Sequence, residues 1–142
     1  MAKIKTKPTR VKPKEFIAAI ANETRRKDAL TLLKLFAKVT GFKAQMFGPT
    51  IVGFGLYHYK YASGHSGSAC AVGFSPRKGS LVIYAAEGPD RRALLKILGK
   101  HKGGDRQCLY INKLADVDLK VLESIVRSGL TAMKKTWPVT AS

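Results

Sequence analysis

Acidic residues are scarce in this 142-residue chain, where 9 Asp and Glu stand against 26 Lys and Arg for a formal net charge of +17. No pair of carboxylates stands apart from a helix start or turn, as two-carboxylate hydrolysis requires, and no Ser, His and Asp order matches a triad motif. Cysteine is nearly absent too. Cys70 and Cys108 lie in the apolar runs SACAVGF and QCLYI without CxxC spacing, so they read as buried small hydrophobes in a reducing cytoplasm. The three histidines form no HExxH, which leaves metal chemistry with little to stand on. No apolar run approaches the roughly 18 residues that span a bilayer, and FIAAIA is too short for a secretory h-region. The expectation is a cytoplasmic protein with no membrane partner and no cofactor.

What is present is positive charge. The first 14 residues hold Lys3, Lys5, Lys7, Arg10, Lys12 and Lys14 with no acid, and the rest of the chain still carries 20 basic against 9 acidic residues, a net of +11. Such a field attracts polyanions without specifying one. Residues 1–14 combine Lys, Thr and Pro without hydrophobic periodicity and are expected to form a disordered basic arm.

Helical spacing begins at Glu15. A short helix is expected over 15–21, then a longer one capped by Asn22 or Thr24, with Ala29, Leu32, Leu33 and Phe36 on its apolar face and Gly41 at its end. Runs rich in Val, Ile, Phe and Tyr at 44–47, 51–60, 69–75 and 80–86 read as strands, with Pro76 to Gly79 turning a hairpin. Asp90 is placed to cap a helix over 91–98 with Leu94, Leu95 and Leu98 inward, and 107–111 reads as the last strand. Asp116 is then expected to cap a final helix striped by Leu119, Leu122, Val126, Leu130 and Met133. This order predicts an α+β domain over 15–134, an antiparallel sheet of about five strands with N-terminal and C-terminal helices packed on it, and a tail over 135–142.

Candidate binding residues concentrate between Tyr57 and Lys78. Strand alternation places Tyr57, Tyr59 and Tyr61 on one face and His58 and Lys60 on the other. Tyrosines there are ordinarily half-buried packing, and His58 is of interest because the neighbouring cation favours a neutral ring with one donor and one acceptor. Ser63 and Gly64 open a polar loop whose glycines let backbone N–H groups converge on an anion, although it has neither Walker A spacing nor a nucleophile elbow. Ser75, Pro76, Arg77 and Lys78 form a rigid turn that aims two cations, Arg77 offering a planar fork for carboxylate or phosphate. Lys100, His101 and Lys102 make a second cationic loop that folding can bring alongside.

The strings GPTIVGFG, YHYKY, SG, GFSPRK, LGKHK, CLYI and LADVDL, in order between Glu15 and Leu130, closely resemble the YdhG-like domain family of small bacterial proteins. The family's loop commonly carries an Arg-Glu-Gly-Asp-like run where this chain has His-Ser-Gly-Ser, so a role needing an acid there does not transfer. Because the family includes a frataxin-like iron chaperone, the resemblance implies iron delivery as an alternative function. Against it, Glu23 and Asp28 are outnumbered on the first long helix by Arg25, Arg26, Lys27, Lys34 and Lys38, whereas iron favours oxygen ligands.

The sequence therefore points to a non-enzymatic binding protein for a small anionic ligand or anionic partner. Its expected site is Tyr57, His58, Tyr59, Lys60, Ser63, Gly64, Ser75, Arg77 and Lys78. Nonspecific nucleic-acid binding through the basic surface is a further alternative, since the ribonucleoprotein strings, zinc-finger spacing and helix-turn-helix of dedicated readers are missing.

Overall fold

The computed structural model describes residues 9–104 and 107–141. Most of the expected basic arm lies outside the described residues, but its last part is placed. The Thr9 N–H donates to the Met46 carbonyl at 2.8 Å, and Pro13 opens α1, Pro13–Ala18. Helix α2, Glu23–Thr40, starts where the Asn22 side chain accepts from the Arg25 N–H at 2.8 Å. It stops at Gly41, whose φ of 73° and N–H bond to the Ala37 carbonyl make a left-handed cap. Ala29, Leu32, Leu35 and Phe36 form its buried stripe.

Strands β1 (Ala44–Phe47), β2 (Ile51–Lys60), β3 (Ser66–Pro76) and β4 (Leu81–Tyr84) follow as an antiparallel meander. After α3, Arg91–Leu98, come β5 (Lys102–Gly103) and β6 (Cys108–Ile111), a 3₁₀ turn at Leu114–Asp116, α4 (Leu119–Thr136) and β7 (Val139–Thr140). Sheet order is β1-β2-β3-β4-β6-β5, with β7 paired to β2. The architecture is α+β with an antiparallel sheet, but it has seven strands rather than about five. The two that sequence reading misses, β5 and β7, are two residues each and too short to show alternation. The segment read as a tail thus completes α4 and adds a strand.

One sheet face is the core. Val52, Phe54, Val72, Phe74, Ile83, Leu109 and Ile111 are buried with the stripes of α2 and α4 in one cluster. Phe36 centres it, its ring 5.5 Å from Phe54 and 5.3 Å from Phe74, contacts that add about 0.5–1.5 kcal/mol each beyond area burial.

Two expected caps differ. Asp90 occupies the cap position of α3 without a side-chain cap bond. Asp118, not Asp116, caps α4, its Oδ1 accepting from the Lys120 and Val121 N–H groups at 2.9 and 3.3 Å. Residues 116–118 are engaged elsewhere first. The Lys100 N–H donates to the Asp116 carbonyl and the Asp118 N–H to the Leu98 carbonyl, so the chain crosses beside the end of α3 before helix can begin. Leu119 is correspondingly exposed, and Ile125 and Gly129 join the buried stripe.

Strand length positions the functional surfaces. β1 and β4 pair only with the halves of β2 and β3 nearest the Pro76 turn, and Leu56–Lys60 with Ser66–Cys70 project beyond them, edged only by β7. The change of partner falls at Gly55, whose φ is 74°. A side chain there would meet the Phe42 ring at 2.7 Å and the Thr140 carbonyl at 3.3 Å.

Candidate functional site

The turn from β3 to β4 is built by backbone bonds from the Arg77 N–H to the Ser75 and Ser80 carbonyls, both 3.0 Å. Ser75 is fully buried, and its hydroxyl donates to Thr50 Oγ1 at 3.1 Å. Arg77 extends from this base: its Nη2 donates to Tyr84 Oη at 2.9 Å and its Nε approaches Ser75 Oγ at 3.4 Å. Both partners are neutral. Burial pushes the Tyr84 hydroxyl up from its ordinary range while the Arg77 cation pulls it down, so Tyr84 meets Arg77 as a phenol near neutral pH.

Arg25, in the first turn of α2, locks the other side. Its Nη1 donates to the Asn112 carbonyl at 2.7 Å and its Nη2 to the Lys78 carbonyl at 3.3 Å. Arg25, Arg77 and Lys78 line a groove of about 720 Å³ between α1, the start of α2 and the turn, with Phe16, Ile20 and Pro76 among its apolar residues. Among the described residues no carboxylate lines it, and the ion pairs there involve Lys27, Lys38, Lys113 and Arg127, none of these three cations. Three cations facing a groove without a counter-charge, beside apolar walls, can take an anion that also carries an apolar body.

Across the turn, Gly79 and Ser80 share a smaller depression of about 270 Å³ with Lys100, His101, Lys102 and Tyr110. The second cationic loop does come alongside the Pro76 turn. His101 is partly engaged, its Nδ1 lying 2.7 Å from the Gly99 carbonyl.

The nine expected site residues do not assemble into one place. Ser75, Arg77 and Lys78 lie at the turn. Tyr57, His58, Tyr59 and Lys60 lie in the projecting half of β2, and Ser63 and Gly64 at its far loop. Tyr57 is seven residues along β2 from Thr50, which at about 3.3 Å per residue separates the groups by roughly 20–25 Å. No tyrosine of the YHYKY run lines the Arg77 groove. The Ser63-Gly64 loop is occupied by its own turn, the Gly64 N–H donating to the Tyr61 carbonyl at 2.9 Å and the Tyr61 N–H to the His65 carbonyl at 2.7 Å.

The far end has its own order. His58 sits between two hydroxyls, Nδ1 being 2.8 Å from Ser68 Oγ and Nε2 2.8 Å from Thr140 Oγ1, so it ties β7 to the hairpin. On the opposite face the Tyr57, Tyr59 and Tyr61 rings follow one another at 5.7 and 5.3 Å, and Trp137 meets Tyr59 and Tyr61 edge-on at 6.4 and 5.9 Å. His65 stacks parallel to Tyr61. Burial, reinforced by Tyr61, Cys70 and Tyr59, raises the Tyr57 pKa.

Sequence reading missed Arg25, Thr50 and Tyr84 at the turn, and Trp137 and His65 in the aromatic group. Tyr61, placed with Tyr57 and Tyr59 by strand alternation but left out of the expected site, belongs to the aromatic group as well. Cys70 and Cys108 are free thiols, and both residues are partly rather than fully buried. Among the described residues no three His, Cys, Asp or Glu side chains cluster so as to hold a metal ion, and no helix is long and apolar enough to cross a membrane.

These features describe an α+β protein with an acid-free cationic groove at one end of its sheet and an aromatic face at the other. Family models, curated proteins and solved structures all yield no match to the chain.

Proposed function

We propose that this is a non-enzymatic binding protein, of the YdhG-like kind its sequence resembles, for a small organic anion held at the Arg77 groove. The observation that carries the reading is the groove's charge: Arg25, Arg77 and Lys78 line it and no carboxylate among the described residues does. Arg77 rests on neutral hydroxyls, so its charge is available to a ligand, and Arg25 and the turn are braced against each other before any ligand arrives. Such preorganisation lowers the ordering cost of binding. A phosphate or carboxylate takes the cations while an apolar body lies along Phe16, Ile20 and Pro76. The lining offers no imidazole, thiol or carboxylate as a general base, which favours binding over catalysis. The iron-chaperone alternative has no donor cluster among the described residues to support it.

Thermal-shift measurements against inorganic phosphate, aryl phosphates and aryl carboxylates test this reading. One class should stabilise the protein at moderate salt, and Arg77→Ala should remove the shift while leaving the unliganded Tm within a few degrees. An undiminished shift in Arg77→Ala contradicts it.

A further inference from the structure

We infer that the tyrosine face of the projecting β2–β3 hairpin, with Trp137, is a stacking surface for single-stranded nucleic acid, distinct from the Arg77 groove. The rings are not core. Tyr57, Tyr59, Tyr61 and Trp137 stand outside the cluster that buries Phe36, and Tyr61 is 53% exposed. They stand outside because β2 and β3 outrun β1 and β4 and carry the tyrosines past the region those strands edge. The result is a row of rings at strand spacing on one face, flanked by an indole.

Aromatic rings in a row also take cationic ligands, and the charge decides between the two. From Ala29 to Ala86 and from Ser124 to Ser142 the chain contains no Asp or Glu, and every ring of this group lies in those two segments. Lys134 and Lys135 are exposed in the last turn of α4, separated from Trp137 by Thr136. A field of that sign repels a quaternary ammonium and attracts phosphate. The partner that satisfies rings and lysines together is a polyanion with exposed π faces, a single strand whose bases lie on Tyr59 and Tyr61 while its phosphates meet Lys134 and Lys135. Stacking on sheet-borne aromatics tolerates sequence, because every base has a π face. A duplex keeps its bases paired and cannot use the rings, so single-strand preference distinguishes this surface from attraction to charge alone.

Trp137 is the chain's only tryptophan and therefore reports on the site directly. The full chain is titrated with oligothymidylate and oligouridylate of about ten nucleotides, within the range one stacking surface covers, and with a duplex of equal length. The expected result is saturable quenching by one or both single strands and at least about tenfold weaker binding of the duplex. Tyr61→Ala should weaken single-strand binding roughly tenfold or more at unchanged salt dependence, and Tyr61→Phe should restore it. Replacing Lys134 and Lys135 by Ala should reduce the slope of log affinity against log salt by about 0.7 for each phosphate that is no longer neutralised. Tyr61 is exposed, and far-ultraviolet circular dichroism verifies that its variants fold. Equal affinity for duplex and single strand, or no effect of Tyr61→Ala, overturns the inference. So does a Trp137 signal that changes with protein concentration alone, which means a second copy covers the rings. Arg77→Ala should leave the titration unchanged, so failure here and failure of the anion groove are separable.

Discussion

Replacing Gly55 by Ala perturbs the residue at which β2 exchanges β1 for β7. At φ 74° an L side chain is strained by about 1–2 kcal/mol. The new methyl would also lie 2.7 Å from the Phe42 ring, and displacing that ring against the core is an overpacking change of about 1–3 kcal/mol. Lower entropy of the unfolded chain offsets about 0.4–1 kcal/mol, leaving a net destabilisation of about 2–4 kcal/mol. Gly64→Ala is the control, because Gly64 also has a positive φ, 88°, but nothing within 4 Å of an added methyl. It lacks the crowding and should cost about 1 kcal/mol. Urea unfolding of both variants, with m unchanged, gives the difference, expected to be about 1–3 kcal/mol. Gly55→Ala should also alter native Trp137 fluorescence, since the Thr140 carbonyl lies 3.3 Å from the added carbon and β7 must shift. Equal stability of the two variants would refute the crowding at Phe42 and with it the assignment of Gly55 as the pivot of the hairpin.

Other consequences are read in the same unfolding assay. Asn22→Ala should cost about 1 kcal/mol by losing the α2 cap, whereas Asp90→Ala should change stability by under about 0.5 kcal/mol because Asp90 makes no cap bond. Arg91 is buried and donates to the Ala85, Ala86 and Gly104 carbonyls, so Arg91→Met should cost about 3 kcal/mol by leaving acceptors unpaired, and a loss under about 1 kcal/mol would contradict that role. Burial pushes the Cys70 thiol up from 9.0 to about 12. The neutral thiol is thus favoured in the fold: its ionisation does not alter stability below pH 9, and as pH rises from 9 to 12 the unfolded chain loses its proton first and stability falls. Cys70→Ala should remove that part of the alkaline loss, and parallel pH profiles for the two proteins would contradict it.

The helices and five longer strands were legible because their spacing repeats. Ala29, Leu32 and Phe36 recur at helical intervals, and β2 is bounded by Gly48 and Pro49 on one side and the Ser63–Ser66 loop on the other. β5 and β7 were not, since two-residue strands are defined by the edge they join. The Ser75–Lys78 turn was legible as a cationic feature from its own residues. Its partners were not, because Arg25 reaches it from 53 residues away in sequence and Thr50 from 25. Grouping Tyr57–Lys60 with Arg77 failed for a reason of length: a ten-residue strand holds its two ends apart however close their loops lie in sequence. Trp137 gave no signal, being a lone aromatic beyond the final apolar stripe.

The most direct test of the anion groove is a two-dimensional amide NMR titration of the intact protein with phenyl phosphate. Saturating shifts should concentrate at Arg25, Ser75 to Ser80 and the first turn of α2, and should vanish in Arg77→Ala. Weak, unsaturated shifts scattered over the lysines, unaffected by Arg77→Ala, would show that the positive charge attracts anions without a site.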